Sequence, residues 1–306
     1  MKISIVTSLY RSEPYVNEFY KRAKAVVEKL GVEYEIIFVN DASPDNSLGL
    51  AVLLSERDNK VSVIDLSRNF GQHKAIMTGL RYATGDLMFI LDSDLEEDPK
   101  LLELFYNKLQ ETDCDVVYGQ QKKRKGGWFE RITGHIFYKI FNWVANCKLP
   151  RNLITMRLMK KNYVENLLKF TEQEIFMAGL WHIAGFTQIP IIVTKHNSSC
   201  TTYSIRKKIS LFINAITSFS NRPLIFIFYT GLLICGVAAI YILHLLIRNI
   251  FFSTPISGWS SLIVSLWFLG GLIILFLGII GIYISKIFIE TKQRPYTIIK
   301  KIYCYK

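Results

Sequence analysis

Two stretches of this 306-residue chain stay apolar for longer than an ordinary surface helix allows. Residues 225–247 carry no Asp, Glu, Lys or Arg and one histidine, His244; residues 262–285 carry no charge at all. At 1.5 Å per residue each would run about 35 Å as a helix, enough to cross a hydrocarbon core of about 30 Å. Each therefore predicts a membrane span. Arg206, Lys207, Lys208 and Arg222 precede the first stretch, and Lys286, Lys292, Arg294, Lys300 and Lys301 lie at or beyond the end of the second. The connecting residues 249–261 have no charge. Positive flanks face the cytoplasm, so the pattern predicts a multi-pass protein of the plasma (inner) membrane with its large N-terminal part cytoplasmic.

The charge balance supports that layout. The formal net charge is +12, yet residues 1–202 hold 26 Lys/Arg against 24 Asp/Glu, while residues 203–306 hold 11 against 1. The basic excess shares its segment with the apolar stretches, which points to an anionic membrane surface; no nucleic-acid recognition motif is present, and no nucleic-acid partner is expected. The five cysteines are scattered without metal-ligand spacing and read as reduced thiols. The N-terminus is too briefly apolar for a signal peptide and reads as a first strand.

Residues 1–120 alternate short apolar runs with helical patterns. Strands are expected at 3–7, 35–40, 61–66, 87–91 and 115–118, and helices at 14–30, 47–56, 74–82 and 99–112. This rhythm predicts a mostly parallel sheet covered on both faces, with ligands at the carboxyl ends of the strands. Two further stretches, 128–144 and 206–221, place apolar side chains at helical spacing between basic ones. Either can lie in the headgroup plane, or pack as an ordinary amphipathic helix. The expected organisation is a catalytic domain at 1–200 that includes the interfacial helix near 128–144, an interfacial helix at 201–223, a two-helix transmembrane region at 224–289 and a basic tail at 290–306.

The sharpest local feature is LMFILDSD, an apolar strand that ends in Asp92 and Asp94. Hard divalent cations take clustered carboxylate oxygens and accept substrate phosphates as further ligands. Glu96, Glu97 and Asp98 extend the acidic patch, and a cation relieves the repulsion among them. A second acidic loop, NDASPD, follows the strand at 35–40. Asp41 at the strand end is placed to accept hydrogen bonds from a base or ribose. Asp45 can do the same, or it can cap the helix that starts near Asn46.

Taken together these segments resemble the family-2 inverting glycosyltransferases of GT-A fold, specifically the branch of polyprenyl-phosphate glycosyltransferases and dolichol-phosphate mannose synthases. IVTSLYRSEPYV is similar to that family's first strand and its Pro-x-Tyr-Asn-Glu, with Tyr10 and Glu13 matching. VNDASPDNS resembles its Asp-Asp-x-Ser-x-Asp loop, with Asp41, Ser43 and Asp45 matching. LSRNFGQHKAIMTGLRYATGD followed by LDSDLEEDP resembles the block that ends in its metal motif, and the likeness continues through TTYSIRKK, ITSFSNRPL and the terminal QRPY. The resemblance implies a Rossmann-related, GT-A-like domain. It implies metal and diphosphate binding by Asp92, Asp94 and Glu96, the last usually Gln.

Other departures are Ser8 for Pro, Asn40 for the first Asp of the pair and Arg11 for Asn. In PRNLITMRLM, Thr155 stands where relatives often carry a catalytic Asp, while Arg157 and Leu158 match. Threonine is no base near neutral pH, but a phosphate acceptor is already ionised and needs none. An acceptor hydroxyl would need one, and Glu174 is then the candidate; Glu172 and Glu174 can also be plain first-turn residues of a helix.

The resemblance therefore implies transfer of a sugar from a nucleotide-sugar donor, UDP-sugar favoured, to a polyprenyl phosphate of the undecaprenyl type, with Mg2+ or Mn2+ as cofactor. Asp94 and Glu174 are the catalytic candidates. Tyr10, Glu13, Asp41, Asp45, Arg68, Lys74 and Asp92 are the donor-binding candidates, Arg68 and Lys74 because they flank the GQH loop beside the diphosphate. Arg131, Arg206 and Lys207, on the two amphipathic stretches, are the acceptor-phosphate candidates, unless they serve only general attraction to anionic lipid. Transfer to a hydroxyl of a lipid-linked saccharide and a non-catalytic, membrane-tethered nucleotide-sugar binder are the alternatives. Homo-oligomer formation is left open by the sequence.

Overall fold

The computed structural model describes residues 1–121, 152–173, 177–194, 220–252 and 258–304. They fall into two compact units: a sheet unit that holds the N-terminal part of the chain and resumes at Arg294, and a helical unit formed by the residues between. The segments 128–144 and 206–219, and with them Arg131, Glu174, Arg206 and Lys207, lie outside the described residues.

The sheet unit alternates as its apolar periodicity requires. Strands β1 (Lys2–Leu9), β2 (Glu33–Asn40), β3 (Val61–Leu66) and β4 (Leu87–Ile90) are separated by helices α1 (Val16–Leu30), α2 (Ser47–Arg57) and α3 (Gln72–Tyr82). All four strands run parallel in the order β4-β1-β2-β3. β1, β2 and β4 are almost wholly buried, which is why they read as continuous apolar runs rather than alternating ones. Phe19 of α1 packs edge-on against Phe38 of β2 on one face of the sheet. On α3 a Cβ at Gly79 would overlap the side chains of Val6 and Val39. Glycine there lets the helix lie directly on β1 and β2.

Beyond β4 the strand expected at 115–118 is present as Val116–Gln121, and the sheet then continues with strands that the pattern of residues 1–120 does not announce. After α4 (Leu101–Glu111) come β5 (Val116–Gln121), β6 (Leu153–Lys160), the short helices α5 (Lys161–Leu167) and α6 (Met177–Ile183), and β7 (Gln188–Val193). β6 inserts antiparallel between β4 and β5, and β7 lines up parallel to β5. Arg157 of β6 is buried, with its guanidinium 3.1 Å from the centroid of the Trp181 ring on α6. The expectation that 290–306 stands apart as a basic tail needs correction. Residues Ile299–Cys304 form β8, antiparallel to β3 at the edge of the eight-stranded sheet. The lysines that made it look like a tail, Lys300 and Lys301, are exposed, as suits an edge strand.

The helical unit contains α7 (Arg222–Phe252) and α8 (Trp259–Thr291). Among the described residues one helix is long and apolar enough to cross a membrane, α8 over Ser265–Thr291; α7 contributes a shorter apolar run, Arg222–Ile234. The expectation of two spans is thus matched by one helix on length and composition. Tyr283 of α8 donates to the Ser220 carbonyl ahead of α7.

Candidate active site

In the sheet unit the chain moves from β1 outward to β2 and β3, then crosses back to place β4 on the other side of β1. Such a reversal leaves a crevice at the carboxyl ends of the two central strands. A cavity of about 290 Å³ opens there. All four parallel strands feed it. Ser8, Tyr10, Arg11, Ser12 and Tyr15 come from the end of β1, Asp41 from β2, Asn69, Gly71 and Gln72 from the β3–α3 connection, and Asp92, Ser93 and Asp94 from β4.

The Asp-Ser-Asp turn is built by alternation. Ser93 points inward and is buried; its hydroxyl meets the Ser12 hydroxyl at 2.8 Å and donates to the Ser8 carbonyl at 3.0 Å. Asp92 and Asp94, one residue to either side, both line the cavity. Asp92 Oδ1 accepts from Gln72 Nε2 at 2.5 Å, and Asp94 Oδ1 accepts the Glu96 N–H at 3.0 Å. Leu95 then turns the chain with φ 58°. Arg11 (φ 55°) after β1 and Ala42 (φ 49°) after β2 are also left-handed. A non-glycine residue in that region costs roughly 1–2 kcal/mol, and three such residues at the cavity's edge mark loops whose shape is held against local preference.

Asp41 is 2% exposed, and its two oxygens accept the N–H groups of Phe70 and Gly71 at 2.7 and 2.9 Å. Burial outweighs those two bonds and raises its carboxyl above the ordinary range. Its carboxylate thus shapes the β3–α3 connection from behind. Neighbouring Asn40, which stands in place of the first Asp of the pair, donates from Nδ2 to buried Asp65 at 2.8 Å. An Asp at 40 would set two buried carboxylates against each other, so the amide is what this interior accepts.

Glu13 and Asp45 do not line the cavity but tie two of its loops together. The Glu13 N–H donates to Asp45 Oδ2 at 3.0 Å, and the Asn46 N–H returns a bond to Glu13 Oε2 at 3.0 Å. Asp45 Oδ1 also accepts from the hydroxyls of Ser43 and Ser47, both 2.5 Å, and from the Ser47 N–H at 3.2 Å. Burial opposes ionisation here, but these bonds prevail and hold the carboxyl at about 2. The N-cap of α2 is Asn46, without a side-chain cap bond; Asp45, one residue earlier, accepts the first helical N–H and works as a clasp between the β1–α1 and β2–α2 loops.

Of the remaining candidates, Tyr10 is 47% exposed on the rim with the Arg11 guanidinium 5.8 Å from its ring centroid. Arg68 is exposed and lies over Phe70, 4.1 Å from the ring centroid. Lys74 sits two residues into α3 beyond the cavity-lining Gln72. Glu96 is not part of the lining. Among the described residues no three His, Cys, Asp or Glu side chains converge into a preformed metal cage. Sequence reasoning passed over Ser12, Ser93 and Gln72. The available signal was the alternation within Asp-Ser-Asp, which sends the middle residue inward.

Thr155 lies on β6. The antiparallel register pairs Ile90, the last residue of β4, with Arg157, two residues after Thr155, and Thr155 is not among the residues lining the cavity.

This architecture, a parallel sheet with an acidic pair at its switch point, defines a GT-A-like α/β domain. Glucosyl-3-phosphoglycerate synthase from Mycobacterium tuberculosis, solved with uridine diphosphate, shares the fold at a TM-score of 0.51 and 15% identity, over 71% of this chain and 79% of that one. The family follows from sequence: the glycosyl transferase family 2 model matches residues 4–168, and the chain belongs to that family. A Mycobacterium tuberculosis protein named among glycosyltransferases is 52% identical over 303 residues, 99% of this chain and 89% of that one. The prophage bactoprenol glucosyl transferase homolog of Escherichia coli K12 is 35% identical over 306 residues, 99% of each. The bactoprenol glucosyl transferase of Shigella phage SfX is 33% identical over 304 residues, 98% of this chain and 99% of that one.

Proposed function

We propose that this family-2 glycosyltransferase moves a sugar from a nucleotide-sugar donor to a polyprenyl phosphate at the cytoplasmic face of the membrane, with inversion at the anomeric carbon. The observation that carries the reading is the composition of the chain at β4 and β6. Two carboxylates suited to a cation, Asp92 and Asp94, line the cavity beyond β4, and the adjacent strand β6 carries a threonine, Thr155, rather than a base. The names of the bactoprenol relatives support the same acceptor.

Asp92 and Asp94 would hold a magnesium or manganese ion, since such ions are commonly bound by one or two carboxylates plus substrate phosphates. When bound, the ion neutralises charge on the departing diphosphate. The chain supplies the rest. Gln72 fixes Asp92, and Ser93 and Ser12 lock the turn that aims both carboxylates. The amino end of α3, with Gly71 and Gln72 on the cavity, favours negative charge through the helix dipole. Tyr10 and Tyr15 offer exposed aromatic faces for a base.

In the transfer an oxygen of the acceptor phosphate forms the bond to the anomeric carbon while the bond from that carbon to the diphosphate breaks. The nucleophile arrives as an anion, so no protein group has to remove a proton, and Thr155 in place of a carboxylate is compatible with turnover. Arg131, Arg206 and Lys207 are proposed to meet the acceptor phosphate. α7 and α8 are proposed as a two-span anchor in the plasma membrane, with the sheet unit cytoplasmic because the basic flanks lie outside the uncharged connection.

The test is a set of incubations of the full chain with a panel of nucleotide sugars and undecaprenyl phosphate, followed by extraction of the lipid. Sugar transferred to undecaprenyl phosphate alone is expected. Product that forms only on a saccharide-bearing lipid, and never on the bare phosphate, would overturn the acceptor assignment and return Glu174 as the base to examine.

A further inference from the structure

The chain leaves α8 at Thr291 and re-enters the sheet unit at Arg294, whose carbonyl accepts from Gln173 Nε2 at 2.8 Å. The segment from Tyr296 to β8 grips the β3–α3 connection from both ends. The Ile298 carbonyl accepts the Ser67 N–H at 2.9 Å, and β8 then pairs along β3, so the strand leading into the connection is held. The Thr297 hydroxyl shares a 2.8 Å hydrogen bond with the hydroxyl of Thr78 on α3, so the helix leaving it is held as well.

Tyr296 completes the second grip. The residue is 8% exposed, with Lys74 Nζ 5.3 Å and Arg81 Cζ 4.9 Å from its ring centroid. Positions 74, 78 and 81 are spaced i, i+4, i+7 and form one stripe of α3. Tyr296 and Thr297 therefore cover that stripe from its first turn to its last. The tyrosine hydroxyl is buried and makes no hydrogen bond among the described residues, so the ring face, not the hydroxyl, is the part in use. Between the two grips lie the residues that shape the donor cavity: Asn69, Gly71, and Gln72 with its bond to Asp92.

We propose that Tyr296 is a positioning residue for the donor. Its π-face holds Lys74 and Arg81, and through them the amino end of α3, at the setting in which Gln72 and the β3–α3 connection meet the nucleotide diphosphate. The proposal rests on the donor reading above and adds to it a part of the chain that lies beyond the apolar helices.

The experiment uses the full chain in detergent or nanodiscs, with UDP and GDP as binding probes and the transfer assay for KM and kcat. Tyr296→Leu keeps apolar bulk but removes the π-face. It should raise the donor KM and the Kd of the nucleotide that the wild type binds by about five- to twentyfold, the size expected for two cation–π contacts. kcat at saturating donor and the acceptor KM should stay within about twofold of wild type. Tyr296→Phe should restore donor KM and Kd, because the hydroxyl has no partner to lose among the described residues. Thr297→Val loosens the same grip more gently and should raise the donor KM about two- to threefold, which keeps the test open if the leucine variant does not fold. Wild-type donor KM and Kd in Tyr296→Leu would overturn the proposal. So would a Tyr296→Phe variant as impaired as the leucine one, or a fall in kcat and thermal stability with donor KM unmoved. A wild-type protein that binds neither nucleotide and uses no nucleotide sugar would instead refute the donor reading itself.

Discussion

Replacing Asp45 by alanine should separate the clasp between the first two loops from any direct contact with substrate. The carboxylate accepts four hydrogen bonds, from the hydroxyls of Ser43 and Ser47 and the N–H groups of Glu13 and Ser47. Its carboxyl sits at about 2 in the folded protein. Against an unfolded value of ~3.9, that is ~2.6 kcal/mol in favour of the folded state at pH 7. The residue is partly exposed, so solvent screening trims the figure to about 2 kcal/mol, close to the loss of a strong helix cap. For a unit of roughly 200 residues this corresponds to a Tm lowered by about 4–8 °C. The folded value is depressed, so the stabilisation is complete above the unfolded value and disappears as pH falls through about 2; close to half is gone by about pH 3. Thermal unfolding of wild type and Asp45→Ala, followed from pH 7 downward, should show a gap that narrows below about pH 4. A variant within 1 °C or so of wild type at pH 7, or a gap that stays constant on acidification, would refute the reasoning.

Asp94→Asn should lower turnover by about 10²–10³ while leaving the unfolding temperature nearly unchanged, and chelation of divalent ions should do the same to the wild type; full activity in EDTA would count against the cation reading. Gly79→Val forces branched carbon into the Val6 and Val39 side chains and should destabilise the sheet unit by about 3 kcal/mol or abolish folding, as read by thermal unfolding or soluble yield. Thr155→Val should keep the transfer rate within about threefold, with a pH profile that rises with acceptor ionisation near ~6 and then levels off; a hundredfold loss would restore a direct role for this position.

Much of the sheet unit was legible because parallel, doubly covered strands leave long apolar runs and their helices leave periodic ones. β1 to β4 and α1 to α4 fall within a few residues of their predicted spans. β6 and β8 were missed for different reasons. β6 carries Thr155 and Arg157 within its apolar run, and the buried guanidinium is accommodated by stacking on Trp181 with Tyr118 nearby, partners that no local pattern announces. β8 carries two adjacent exposed lysines, Lys300 and Lys301, at a sheet edge and lacks strict alternation, a pattern that reads equally well as a tail. At the site the acidic pair was visible because it is contiguous. The clasp of Glu13 and Asp45, and the engagement of Asp41 by Phe70 and Gly71, were not. Those partners lie 29–33 positions apart, and no local pattern encodes a bond across that distance.

The pairing of β8 with β3 also sets a schedule for biosynthesis. Leu66 and Ile299 are neighbours across the strand pair, yet a ribosome adding ~5–20 residues per second needs roughly 12–47 s to travel from one to the other. Throughout that interval β3 is an uncapped sheet edge, its hydrogen-bonding groups open to any passing strand. The apolar helices emerge before its true partner does. The nascent domain must therefore be shielded while α7 and α8 are made, and any stall over that stretch prolongs the time in which the half-finished sheet can aggregate or be degraded.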